Sequence, residues 1–108
     1  MNEQDFAHLA DAELAALEAA LETAGGDYDI ELKPGGILEL ECADGSKIII
    51  NRHTAAREIW VAARSGGFHF ASRDGQWLSA RDGGELWQTL ERCLSEQTGE
   101  AFALTRTR

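Results

Sequence analysis

The chain has 108 residues, 44% of them apolar and three of them Trp, and its 19 Asp and Glu against 10 Lys and Arg leave a formal charge of −9. That size supports one domain, residues 1–108, around a modest core, and the aromatic content excludes a disordered acidic tail. The charge repels nucleic-acid phosphates and attracts cations or a basic surface, and no apolar run approaches the roughly 20 residues of a membrane helix.

The first element is a predicted helix from about Asn2 to Ala24. Phe6, Leu9, Ala10, Leu14, Leu17, Leu21 and Ala24 recur at helical spacing and form an apolar stripe. Asn2 suits the N-cap, and Gly25-Gly26 stops the helix. The acidic start of this segment fits neither a secretory signal nor an Arg-rich transit peptide, which points to the bacterial cytoplasm or another compartment entered without a cleaved presequence. The period then switches to two. Tyr28, Ile30 and Leu32 alternate with Asp29, Glu31 and Lys33, as in a strand with one buried face.

Pro34-Gly35-Gly36 makes a turn, and Leu38, Leu40 and Cys42 alternate with Ile37, Glu39 and Glu41 in a second strand. Asp44-Gly45 is a hairpin signal leading into a third strand, Lys47-Ile48-Ile49-Ile50-Asn51. Further strands are expected around Ile59–Ala62, Phe68–Ala71 and Gln76–Leu78. A second helix is expected from Asp82, with Glu85 three residues on completing a capping box, a stripe of Leu86, Trp87, Leu90 and Leu94, and Gly99 at its end. This order gives an α+β fold, with two terminal helices on one face of an antiparallel sheet of five to six strands. Cys42 and Cys93 form no CxxC pair and read as reduced, packed thiols.

The charge is confined to one end of this plan. Residues 1–32 contain nine carboxylates and no Lys or Arg, and the rest of the chain is balanced. At about 100° per residue, Asp11, Glu18 and Glu22 line one edge of the first helix, and Asp27, Asp29 and Glu31 on the next strand extend that ridge. Glu3, Asp5 and Glu13 fall off the line. Glu18 and Glu22 repel each other at i,i+4 near a helix C-terminus, where the dipole favours cations. A merely solvated face would interleave Lys, so the ridge reads as functional. Carboxylates without neighbouring His or Cys are hard oxygen ligands for Fe³⁺, Fe²⁺, Mn²⁺, Ca²⁺ or Mg²⁺. A row is not a cage, so binding is expected to be weak, multiple and salt-sensitive. The EF-hand, P-loop, GxSxG, HExxH and Rossmann patterns are missing, and no catalytic residue is assigned. On the third and fourth strands, Asn51 and Trp60 face outward beside Arg52 and His53, and an outward Trp is suited to anchoring a protein partner or to simple packing by its neighbours.

The run Asp44-Gly45-Ser46-Lys47-Ile48-Ile49-Ile50-Asn51-Arg52, followed by Ile59-Trp60, Gly66-Gly67-Phe68-His69-Phe70 and Trp77, closely resembles the bacterial frataxins, and the likeness runs essentially end to end. It implies a frataxin-type two-layer α/β sandwich and a role in iron–sulfur cluster assembly, as an iron-dependent regulator or an iron donor. By position, Glu18, Glu22, Asp27, Asp29 and Glu31 would carry weakly and reversibly bound iron and meet a cysteine desulfurase. Asn51, Arg52 and Trp60 would belong to the sheet face used for partners, among them the iron–sulfur scaffold protein. No tightly held cofactor, no membrane contact and no nucleic acid are implied, and the expected state is a monomer that iron can drive into oligomers. Two positions depart from the family pattern. His53 replaces the usual Gln, and Ala19, Thr23 and Ala24 stand where many bacterial members carry acids, which lowers the expected iron capacity. An acidic adaptor with incidental metal binding is the alternative. A ferroxidase is disfavoured because no Glu-x-x-His pair in a helix bundle is present.

Overall fold

A computed structural model describes residues 1–105. Helix α1 (Glu3–Ala24) begins where Asn2 accepts a 2.7 Å hydrogen bond from the Asp5 amide, and it ends on Gly25 in the left-handed region. Its buried face is Phe6, Ala10, Glu13, Leu14, Leu17, Ala20 and Leu21. Two residues of the predicted stripe are not in it. Leu9 is 42% exposed, because its position falls at the margin of the arc centred on Phe6 and Leu17, and Ala24 lies exposed on the last turn, beyond the core. Glu13 takes the interior place instead, and its carboxylate accepts the Trp87 indole N–H at 2.5 Å.

Six strands follow as an antiparallel meander in the order of the chain: β1 (Tyr28–Lys33), β2 (Ile37–Cys42), β3 (Lys47–His53), β4 (Glu58–Ala63), β5 (Gly66–Arg73) and β6 (Gln76–Ser79). Leu38, Leu40, Ile48, Ile50, Ile59, Val61, Phe70 and Trp77 turn to the helix side, where they and the α1 stripe form one core. The alternation expected for β2 is observed, with Leu38, Leu40 and Cys42 buried. In β1 it holds only in part. Tyr28 and Ile30 pack against the core, but Leu32 is 51% exposed at the sheet's outer edge.

The step from α1 into β1 is tightly specified. The Tyr28 hydroxyl donates to the Leu21 carbonyl at 2.6 Å, satisfying an acceptor in the last turn of α1. A Cβ at Gly26 would lie 2.2 Å from the Tyr28 ring and 2.6 Å from that of Phe102, so only glycine fits between them.

Helix α2 (Leu86–Thr98) starts later than expected. Its N-cap is Glu85, which accepts from the Trp87 and Gln88 amides, and not Asp82. Asp82 instead bonds the Gly84 amide at 2.9 Å in a local turn, and the positive φ of Gly83 (74°) prevents an earlier helical start. Gly99 ends α2 as expected. Leu86, Trp87, Leu90, Cys93 and Leu94 complete the core, and both cysteines are buried and free.

Tyr28→Phe keeps the ring and removes only the bond to Leu21. It should lower the urea unfolding free energy by about 1 kcal/mol, and an unchanged value would show that the bond contributes nothing net.

Candidate functional site

The α1 positions 11, 15, 18 and 22 fall within one narrow arc of the helix, bordering the Leu14–Leu21 side of its buried face. A recess of about 260 Å³, lined by Asp11, Leu14, Ala15, Leu32, Gly36 and Arg52 among others, sets that arc beside β1. Asp11, Glu22, Asp27, Asp29 and Glu31 are exposed and Glu18 is half-buried. Asp11 differs from the other five. Arg52 Nη1 lies 2.6 Å from its carboxylate, joining α1 to β3. Among the described residues, Glu18, Glu22, Asp27, Asp29 and Glu31 form no ion pair with Lys, Arg or His.

The sheet adds its own carboxylates to this edge. Asp29 lies directly opposite Glu41, and Glu31 opposite Glu39, on the open face of the β1–β2 pair. Like charges so placed repel. Glu39 is compensated, with Lys33 Nζ at 3.1 Å and Lys47 Nζ at 3.4 Å. The Lys33 hydrogen bond holds the Glu39 carboxyl below its ordinary pKa against the opposing effect of desolvation, Lys47 adds to the lowering, and the same pair raises the Lys33 ammonium. Lys47 stands opposite Glu41 in register yet sends its ammonium to Glu39, so the Asp29–Glu41 pair has no such counterion among the described residues.

Nowhere among the described residues do three His, Cys, Asp or Glu converge closely enough to hold a metal ion. The donors are hard oxygens spread along a ridge. Such a row offers a cation one or two carboxylates at a time and would leave it much of its water.

The second predicted surface divides in two. Asn51 and Trp60 are paired residues on the open face of the sheet. Arg52 is not with them. Strand alternation turns it to the helix layer with Ile48 and Ile50, where it meets Asp11. Gly36 makes room for it, since a Cβ there would lie 3.0 Å from the Arg52 Cβ. Arg52 therefore braces α1 rather than lining the Trp60 face.

On that face Trp60 is the middle layer of a stack. The His53 ring lies 3.8 Å away and 12° from parallel, and the His69 ring 4.3 Å away and 9° from parallel. The Trp60 indole N–H donates to Glu58 at 2.8 Å, and His69 Nδ1 approaches the same carboxylate at 3.7 Å. Glu58 and His69 were not among the predicted site residues. The signal for them was the cross-strand register, which brings His69 opposite Trp60 only once the β4–β5 turn is fixed.

A frataxin-like domain model matches residues 1–100. The chain belongs to the frataxin family. It is similar to the iron–sulfur cluster assembly protein CyaY of Dechloromonas aromatica (strain RCB), 52% identical over 104 residues that cover 96% of this chain and 99% of that one. The corresponding protein of Neisseria meningitidis serogroup B is 41% identical over 96% of each chain. Among solved structures, the frataxin of Psychromonas ingrahamii superposes with a TM-score of 0.90 at 31% identity, covering 98% of this chain and 100% of that one. A trimeric frataxin from Saccharomyces cerevisiae, complexed with ferrous iron, gives 0.73 at 28% identity over 85% and 87% of the two chains. The frataxin architecture of two helices on a six-stranded antiparallel sheet is thus the fold of this chain. No helix among the described residues is long and apolar enough to cross a membrane.

The Glu39 pair has a consequence for titration. A carboxyl with a lowered folded pKa contributes stability in full above its unfolded value, about 4.3, and loses it as pH falls through the folded value. Lys33→Met should raise the Glu39 midpoint in a carbon-detected NMR acid titration. An unmoved midpoint would contradict the assignment of Lys33 as the chief cause.

Proposed function

We propose that this frataxin acts in iron–sulfur cluster assembly in the bacterial cytoplasm, as a regulator or iron donor that docks its acidic helix–strand ridge on a cysteine desulfurase. The observation that carries this reading is the run Glu18, Glu22, Asp27, Asp29 and Glu31 on adjoining edges of α1 and β1, which form no ion pair among the described residues. Among the described residues, Arg52 holds Asp11 and Lys33 and Lys47 hold Glu39 at the margins, and the carboxylates between them form no ion pair. The names of the curated relatives and the ferrous iron of the yeast neighbour support the choice of pathway and of ion.

Iron is cargo here. Fe²⁺ or Fe³⁺ meets one or two carboxylates at a time and exchanges readily, because no third ligand among the described residues closes around it. Asp11 joins the iron surface only by giving up Arg52, so it ranks below the other five. Docking uses the same charges against a basic surface, which speeds encounter and weakens with salt. The open face of the sheet, which Asp29 and Glu31 share at its β1 edge, carries Asn51 and the His53–Trp60–His69 stack farther along and is turned to the scaffold protein, with Trp60 as its anchor. The protein is a monomer in this reading. Iron neutralising ridge carboxylates would let copies associate, in keeping with the trimeric yeast neighbour. No catalytic residue is assigned, since a redox centre needs a fixed set of ligands.

The scattered donor set also favours a second reading, an acidic adaptor whose metal binding is incidental. Charge reversal decides. Glu18→Lys with Glu22→Lys should weaken both ferrous ion and purified desulfurase by about tenfold or more at low ionic strength, or 1.4 kcal/mol. The loss should shrink as salt rises. If desulfurase binding falls and iron binding does not, the adaptor is correct, and if neither changes, the ridge is not the working surface.

A further inference from the structure

The sheet has two edges, and they are treated differently. Strand β6 is four residues long, and the bridge between Leu78 and Glu85 occupies its outer side. Strand β1 has six residues paired to β2 along their whole length, and among the described residues no strand lies on its other side. Charged side chains often protect such an edge from association, Lys above all. Here Lys33 is drawn away to Glu39, and what remains along β1 is Asp29, Glu31 and the exposed Leu32. Two local costs accompany this arrangement. Asp29 faces Glu41 with no counterion among the described residues, and Leu32 stands at the mouth of the apolar recess beside Leu14 and Ala15.

We propose that β1 accepts an extended, basic polypeptide segment as a seventh strand. This rests on the reading of the ridge as a partner surface and specifies how the partner is held. An edge of six residues spans about 20 Å and pairs with a segment of similar length. Main-chain hydrogen bonds give such a complex its affinity, and alternate side chains give it specificity. Side chains of the incoming segment on the open face lie beside Asp29 and Glu31, where Lys or Arg relieves the repulsion with Glu41. Those on the helix face lie beside Ile30 and Leu32, where one apolar side chain covers Leu32 and enters the recess of about 260 Å³. Glu18 and Glu22 flank that face and accept the remaining basic groups. A second copy of this chain is the wrong occupant, because β1 against β1 sets acidic residues beside acidic residues.

The probe is a peptide of about ten residues alternating Lys and Val, with a twin N-methylated through its central residues, which keeps the charge and removes the strand-pairing N–H groups. With the full chain at low ionic strength, the first peptide should bind and slow hydrogen exchange of the β1 amides by about tenfold or more. The twin should bind about tenfold more weakly, and Asp29→Lys with Glu31→Lys should weaken the first peptide as much. An unchanged amide spectrum for β3–β5 in that variant shows that it folds. No binding, equal binding of the twin, or no added protection in β1 overturns the seventh strand. Equal binding of the twin that Glu18→Lys/Glu22→Lys abolishes leaves ridge docking standing without it. Protection in β1 that survives this reversal leaves the seventh strand standing and removes Glu18 and Glu22 from the docking surface.

Discussion

Burial of the α1 stripe against the meander holds an acidic edge together that would otherwise drive itself apart. Phe6, Ala10, Leu17 and Leu21 are fully buried there. Each large apolar side chain so placed contributes about 1.5–3 kcal/mol, whereas a like-charge i,i+4 pair such as Glu18–Glu22 costs a few tenths. The core therefore outweighs the repulsion several times over. It permits a surface that local electrostatics alone would not select, and the Tyr28–Leu21 bond and the Arg52–Asp11 pair fix where that surface lies relative to the sheet.

The distribution of cations is as informative as that of acids. Arg52 takes Asp11 at one end of the ridge, and Lys33 and Lys47 both take Glu39 behind it. The chain could have neutralised Asp29–Glu41 with Lys47, which stands opposite Glu41, and does not. In the proposed reading, the exposed middle of the ridge is what the molecule offers to cations from outside. The His53–Trp60–His69 stack shares the open face of the sheet with Asp29 and Glu31 but lies across β3–β5, away from the β1 edge, which in the proposed reading leaves room for two partners on one small domain.

Most of the fold was legible because its periods are clean. Leu38, Leu40 and Cys42 are buried as their alternation requires, and the Asn2 cap and the Gly25 and Gly99 stops stand where the sequence puts them. What escaped depends on neighbours distant in sequence. Leu9 is apolar but sits at the arc's margin, while Glu13 enters the interior because Trp87 offers an N–H from α2. Asp82-x-x-Glu85 looks like a capping box, yet the Gly83-Gly84 turn intervenes and Glu85 becomes the cap. Arg52 follows Asn51 and was grouped with it by sequence, but adjacent strand residues face opposite sides. The helical and strand components of the ridge were readable. Which members already hold a cation was not, since Asp11 and Arg52 are 41 residues apart.

The central claim is that the unpaired carboxylates of α1 and β1 form the iron surface. Its most direct test is an NMR titration of the full chain with ferrous ion at physiological salt, under anaerobic conditions. Paramagnetic broadening should be confined to residues around Glu18, Glu22, Asp27, Asp29 and Glu31, reach Asp11 only later, and leave the His53–Trp60–His69 stack sharp. Broadening centred on His53 and His69, or none at near-millimolar iron, would contradict the account.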